Sequence, residues 1–96
     1  MLQIRPVCEH CGKPLPPDDE GAMICSFECT FCAACAENVL HNVCPNCGGG
    51  FEKRPVRPVE MLVKYPPATL KIHNPVNTGQ FETMLMKYKD IAPARR

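Results

Sequence analysis

Eight cysteines, all between Cys8 and Cys47, are the residues of this chain best suited to chemistry. They fall into four pairs. Two residues separate Cys8 from Cys11, Cys32 from Cys35 and Cys44 from Cys47, and three separate Cys25 from Cys29. Paired sulfurs at such spacing can share one ion through a tight turn whose amides point at sulfur. Cys8-Glu9-His10-Cys11-Gly12 and Cys44-Pro45-Asn46-Cys47-Gly48 read as two such knuckles. Each ends in a glycine free to take the left-handed backbone. Cys32-Ala33-Ala34-Cys35 differs, because it opens a helix whose N-terminus favours anionic sulfur.

Four disulfides are the competing use of eight cysteines. The lead-in from Met1 to Pro6 has no apolar run of the length a secretory signal needs. No stretch approaches the ~20 apolar residues of a membrane span. A reducing, cytoplasmic setting is therefore expected, and there paired cysteines bind metal more often than they form disulfides. Two zinc ions are the expected cofactors, since zinc takes four soft or borderline ligands in a tetrahedron. Iron also accepts four thiolates.

Two groupings of the ligands are open. The sequential one joins Cys8, Cys11, Cys25 and Cys29, then Cys32, Cys35, Cys44 and Cys47. The crossed one joins Cys8, Cys11, Cys32 and Cys35 at site 1, and Cys25, Cys29, Cys44 and Cys47 at site 2. A knuckle facing a helix start makes a treble-clef arrangement and favours the crossed grouping. Crossing also ties the proline loop to both sites.

The elements that must position these sulfurs are short. Pro14-Leu15-Pro16-Pro17-Asp18-Asp19-Glu20 is a loop, poor in amide donors and rich in acids that are costly to bury. Residues 22–32 read as strand and hairpin, with Ile24, Phe27 and Phe31 as apolar points. Ala33 to Leu40 reads as a short helix, ended near His41-Asn42. The expected division is a two-zinc domain over 1–50 and a proline-rich basic tail over 51–96. In the tail, Val59, Met61, Val63 and Tyr65 alternate with other residues, a period-two pattern that predicts a strand. Leu70 and Ile72 predict a second. A C-terminal helix over about 79–92 places Phe81, Met84, Leu85, Tyr88 and Ile91 on one face. Asn77 or Thr78 can cap it, Lys87 and Lys89 suit its C-terminal dipole, and Pro93 ends it.

The net charge of +1 conceals a division. Residues 1–47 carry two basic and six acidic side chains, net −4, while 48–96 carry nine and four, net +5. The tail is expected either to leave its charge in solvent or to fold against the acidic head.

Residues 8–48 resemble a RING finger. The stretch Glu28-Cys29-Thr30-Phe31-Cys32-Ala33-Ala34-Cys35-Ala36-Glu37-Asn38-Val39-Leu40, followed by Cys44-Pro45-Asn46-Cys47, carries that resemblance. Cys29 stands where most RING fingers place histidine. Leu2 to Pro58 further resembles a bacterial family of small cysteine-rich proteins with no assigned activity, through Arg5-Pro6, Ile24 to Cys32, Cys44 to Gly49 and Arg54 to Pro58. The resemblance implies a zinc-bound, RING-like cross-brace. The fold class expected is thus a small metal-stabilised α+β domain with a short hairpin and one short helix, followed by an extended tail ending in an amphipathic helix.

Function is less marked. Ubiquitin-ligase RING fingers place an apolar residue inside the first ligand pair and a basic residue after the last. Here those positions hold His10 and Gly48. Zinc catalysis needs an open coordination position, which two all-cysteine cages lack. His10, His41 and His73 read as surface or helix-end residues. The expectation is a non-enzymatic structural zinc module that binds another protein. A thiol-based redox sensor and a nucleic-acid-binding regulator are the alternatives, with a RING-type ubiquitin ligase the least favoured of the three. Arg54, Arg57, Lys64, Lys71, Lys87 and Lys89 are the candidate phosphate contacts, against an acidic head that repels DNA. No membrane partner is expected, and the sequence leaves the oligomeric state open.

Overall fold

A computed structural model describes all 96 residues. Three short strands form an antiparallel sheet: β1 (Ala22–Ile24), β2 (Thr30–Cys32) and β3 (Glu52–Lys53), in the order β2-β1-β3. Ala22 faces Cys32 and Ile24 faces Thr30 across the hairpin, while Met23 also pairs with Lys53. The turn between β1 and β2 is the stretch from Cys25 to Cys29. Every residue of β2 is buried. Phe31 meets Phe51 edge to face, ring centroids 5.3 Å apart, and the core gathers around them with Leu15, Leu40 and Val43. A core of this size buries little apolar area, so the fold depends on additional cross-links.

The helix expected after Cys32 is present as a single wide turn. Ala33 and Ala34 are helical, and Cys35–Val39 continues as π-type turn, with the Leu40 amide bonded to the Cys35 carbonyl at 2.9 Å. His41 and Asn42 end it in left-handed conformation, φ 48° and 62°.

The tail departs from expectation at two places. Val59–Lys64 forms a six-residue helix, α1, where period two predicted a strand. Pro58 precedes it at φ −54°, already close to helical φ, and its carbonyl accepts from both the Met61 and Leu62 amides. Prolines on both sides, Pro55, Pro58, Pro66 and Pro67, leave the segment no sheet edge to join, and a helix satisfies its backbone locally. The second predicted strand, around Leu70 and Ile72, is also absent. That segment is irregular and fixed by isolated bonds: Ala68 N–H to the Ile4 carbonyl at 3.0 Å, and Asn74 N–H to the Glu9 carbonyl at 2.8 Å.

The last helix, α2 (Thr78–Tyr88), matches the sequence pattern through Tyr88 but ends short of the expected 92, leaving Ile91 beyond it and exposed. Asn77 caps it, its side chain accepting from the Gln80 amide at 3.1 Å. Phe81 is buried on the head, with Met84, Leu85 and Tyr88 packed beside it. Pro93 opens a short 3₁₀ turn, Pro93–Arg95. No helix is long and apolar enough to cross a membrane.

The tail docks on the head without ion pairs between them. The one ion pair at contact distance, Arg5 to Glu9 at 3.7 Å, lies within the head. Docking uses backbone and aromatic contacts instead. Arg96 donates to the carbonyls of Asn42 (2.8 Å) and Gly48 (3.1 Å). Val76 N–H donates to His10 Nδ1 at 2.9 Å, and His73 Nε2 lies 3.1 Å from the His10 carbonyl.

Candidate metal centres

The two knuckles repeat one backbone design. Cys8 N–H bonds the Lys13 carbonyl at 2.9 Å and Cys44 N–H bonds the Gly49 carbonyl at 2.8 Å. Gly12 and Gly48 each donate back to the first cysteine's carbonyl, at 2.9 and 2.8 Å. Their φ angles are 77° and 79°, left-handed backbone that glycine adopts without strain. The tail sets a ring against each. A Cβ on Gly12 would meet the His73 ring at 3.4 Å, and one on Gly48 would meet Tyr88 at 2.9 Å.

The hairpin and the turn after it supply the other sulfurs. β2 places Cys32 at its end and the helical turn swings Cys35 back beside it, so both face the first knuckle. The sulfurs of Cys8, Cys11, Cys32 and Cys35 all lie within 4.8 Å of one another. Cys11 Sγ and Cys32 Sγ are 3.8 Å apart. A tetrahedron with metal–sulfur bonds of ~2.3 Å has edges of about 3.8 Å. The Cys35 amide points at Cys32 Sγ, 3.5 Å away.

The sulfurs of Cys25, Cys44 and Cys47 form a second group with the same spread. Cys29 lies beside this group, its sulfur a neighbour of the Cys25 sulfur and its charge acting on Cys44, though not within 4.8 Å of all three. It accepts from Asn46 Nδ2 at 3.4 Å. That same nitrogen donates to Glu9 Oε2 at 2.8 Å. The Gly49 amide donates to Cys47 Sγ at 3.4 Å. In chain order, the first pair meets the third, and the fourth meets Cys25 of the second.

All eight thiols are free. Their acidities show what it costs to gather them without a cation. Burial pushes the Cys35 thiol well above its ordinary value, and its sulfur neighbours Cys32 and Cys11 add to this. Burial does the same for Cys44, with the charges of Cys25 and Cys29 adding. Cys11 and Cys29 are raised for like reasons. Cys8 goes the other way: burial alone raises it, but backbone hydrogen bonds from Cys11, Cys32 and His10 together outweigh burial. A divalent cation reverses this balance by holding thiolates outright. Sulfur donors, tetrahedral spacing and amides aimed at sulfur all fit such an ion, so each group could hold one.

A family model described as "Protein of unknown function (DUF1272)" matches residues 1–57. The chain belongs to this family. That match spans the knuckles, the hairpin and β3, and stops before α1. The chain is also similar to "Uncharacterized protein R02474" of Rhizobium meliloti (strain 1021), 59% identical over 75 residues, which covers 78% of this chain and 89% of that protein. No solved structure matches it.

Sequence reasoning missed the roles of four residues. Arg54, a candidate phosphate contact, is instead buried at 1% exposure. Its guanidinium donates to the carbonyls of Arg5 (3.0 Å), Leu15 (3.1 Å) and Pro16 (2.7 Å), and burial lowers its pKa, partly offset by Asp19. The signal was available: a proline loop has carbonyls but few amides, and buried carbonyls need a donor. Arg57 is likewise engaged, donating to the Tyr65 and Leu2 carbonyls. Glu9 is buried and Asn46 bridges it to Cys29, which nothing in the spacing announced.

Proposed function

We propose that this chain is a structural zinc module. Two zinc ions bind in a crossed arrangement, one held by Cys8, Cys11, Cys32 and Cys35, the other by Cys25, Cys44 and Cys47 with Cys29 as fourth sulfur. The observation that carries this reading is the crossed grouping of the sulfurs, with a 3.8 Å edge suited to a tetrahedral ion. The knuckle and helix-start design supports a RING-like, treble-clef description. The module acts in the cytoplasm, without catalysis, by presenting a surface to another protein. Val56, Val59, Val63 and Leu70 are exposed on the tail and support that role. Metal analysis of the purified chain tests the reading: two zinc ions per chain are expected, and fewer than two would overturn it. Removing the metal with a chelator should unfold the head, since structural zinc supplies on the order of 10–16 kcal/mol in small domains.

A redox-sensing role is favoured by one observation. Cys11 is exposed and its sulfur lies 3.8 Å from that of Cys32. Mild peroxide should then release one zinc ion, with recovery on adding reductant and zinc. Retention of both ions under peroxide would remove this second reading.

A further inference from the structure

We infer that the cleft between the two knuckles and the tail is a docking pocket for a lysine side chain of a protein partner. This rests on the reading of a zinc module that binds another protein, and deepens it by naming what the partner supplies.

The cleft holds about 280 Å³ and is built from three separate parts of the chain. Glu9 comes from inside the Cys8–Cys11 knuckle, Pro45 and Asn46 from inside the Cys44–Cys47 knuckle, and residues between Asn74 and Met84 from the tail. Its volume lies at the small end for ligand sites, room for one long side chain rather than a large cofactor. Glu9 is the one charged residue that lines it, and no cation of the tail does.

Glu9 is buried, its side chain 8% exposed, yet its carboxylate is half used. Oε2 accepts from Asn46 Nδ2 at 2.8 Å. Oε1 accepts no hydrogen bond, since Arg5 Nη1 is 3.7 Å away and beyond donor reach. A buried carboxylate oxygen without a donor favours an incoming one. The engaged oxygen selects its type: an arginine fork binds best through both oxygens, whereas an ammonium needs one. Asn46 and Gln80 line the same cleft with side-chain oxygens that accept nothing within the protein, and they suit the remaining ammonium hydrogens. Phe81 and Met84 offer apolar surface to the four-carbon stem. The Asn74 and Asn77 side chains have amide donors to spare for the peptide group that carries it.

Charge points the same way. Zinc held by four thiolates carries −2, and Asn46 Nδ2 links that centre to Glu9 through the Cys29 sulfur at 3.4 Å. Glu9 and Arg5 cancel, so the loaded surroundings of the cleft remain anionic. Residues 1–47 are net −4 before any metal is counted. A cation is drawn to this face.

The test uses the full zinc-loaded chain and a capped alanine–lysine–alanine peptide, followed by amide nuclear magnetic resonance. Saturable shifts should centre on Glu9, Asn46 and Gln80, with Kd on the order of 1 mM for so small a probe. Glu9→Gln keeps an oxygen for Asn46 Nδ2 but removes the charge, and should weaken binding at least about tenfold. A norleucine peptide, which keeps the stem without the charge, should lose as much. An arginine peptide, and butylamine as the bare ammonium and stem, should each bind less tightly than the lysine peptide. No saturable shift at about ten times the expected Kd would overturn the proposal. So would full affinity in Glu9→Gln, or binding as tight by the norleucine peptide, the arginine peptide or butylamine. Two zinc ions retained in Glu9→Gln show that it is folded. If it is not, Gln80→Ala on the exposed face of α2 takes its place, with a loss of about fivefold expected and no loss overturning the proposal. Fewer than two zinc ions in wild type would instead overturn the zinc reading itself.

Discussion

Replacing Arg54 should damage this protein more than removing any other cation. Its guanidinium spans three carbonyls in the loop and lead-in, and no carboxylate lies at ion-pair distance from it. Arg54→Ala leaves the Leu15 carbonyl buried without a donor, which costs about 1–3 kcal/mol, and forfeits two more charged bonds of about 1 kcal/mol each where water can substitute. The expected loss is therefore about 3–5 kcal/mol. For a chain of this size each kcal/mol shifts Tm by roughly 4–8 °C, so the midpoint should fall by more than about 12 °C. Arg54→Lys should recover part of the loss, because one ammonium cannot span three acceptors. The assay is thermal melting with zinc in excess, so that metal loss does not limit the transition. A loss below about 1 kcal/mol in Arg54→Ala would show that the loop carbonyls find other partners, and the cross-link argument would fail.

Other outcomes follow from the same structure. Gly48→Ala should cost more stability than Gly12→Ala, since both positions are left-handed but only the former drives a Cβ to 2.9 Å from Tyr88; equal melting points would contradict the packing of α2. Phe81→Ala should cost about 3 kcal/mol, the lower end for a buried phenylalanine, read by chemical denaturation. Metal affinity should rise with pH through neutrality. In the metal-free fold Cys11, Cys29, Cys35 and Cys44 sit above their ordinary value of 9.0, so these thiols are protonated near neutral pH and binding must expel their protons. The raised values work against the metal-free fold itself only above pH 9, where the unfolded chain ionises first. Competition with a chelating dye at pH 6, 7 and 8 checks the sign, and a flat response would contradict it.

Much of the head was legible in the sequence because metal-type spacing and glycine-closed knuckles leave few alternatives. The hairpin and the helical turn follow from placing Cys25, Cys29, Cys32 and Cys35 where they can serve two groups. Helix α2 was legible through its long apolar period and its Asn77 cap. Helix α1 was not, because six residues between prolines carry too little pattern: alternation at Val59, Met61 and Val63 signals a strand only where a sheet edge is available. Charge suggested how the tail might attach, yet the contacts are His10 with Val76, Tyr88 with Gly48, and Arg96 with main-chain carbonyls. Buried polar groups were the least legible. Arg54, Glu9 and Asn46 look like surface residues until the fold brings distant carbonyls and a sulfur beside them.

Cadmium-113 correlation spectra of the cadmium-loaded chain test the crossed grouping most directly, because each metal couples to the Cβ protons of its own cysteines. The account predicts two metal resonances, one correlated with Cys8, Cys11, Cys32 and Cys35 and the other with Cys25, Cys29, Cys44 and Cys47. A resonance correlated with Cys8, Cys11, Cys25 and Cys29 would contradict it.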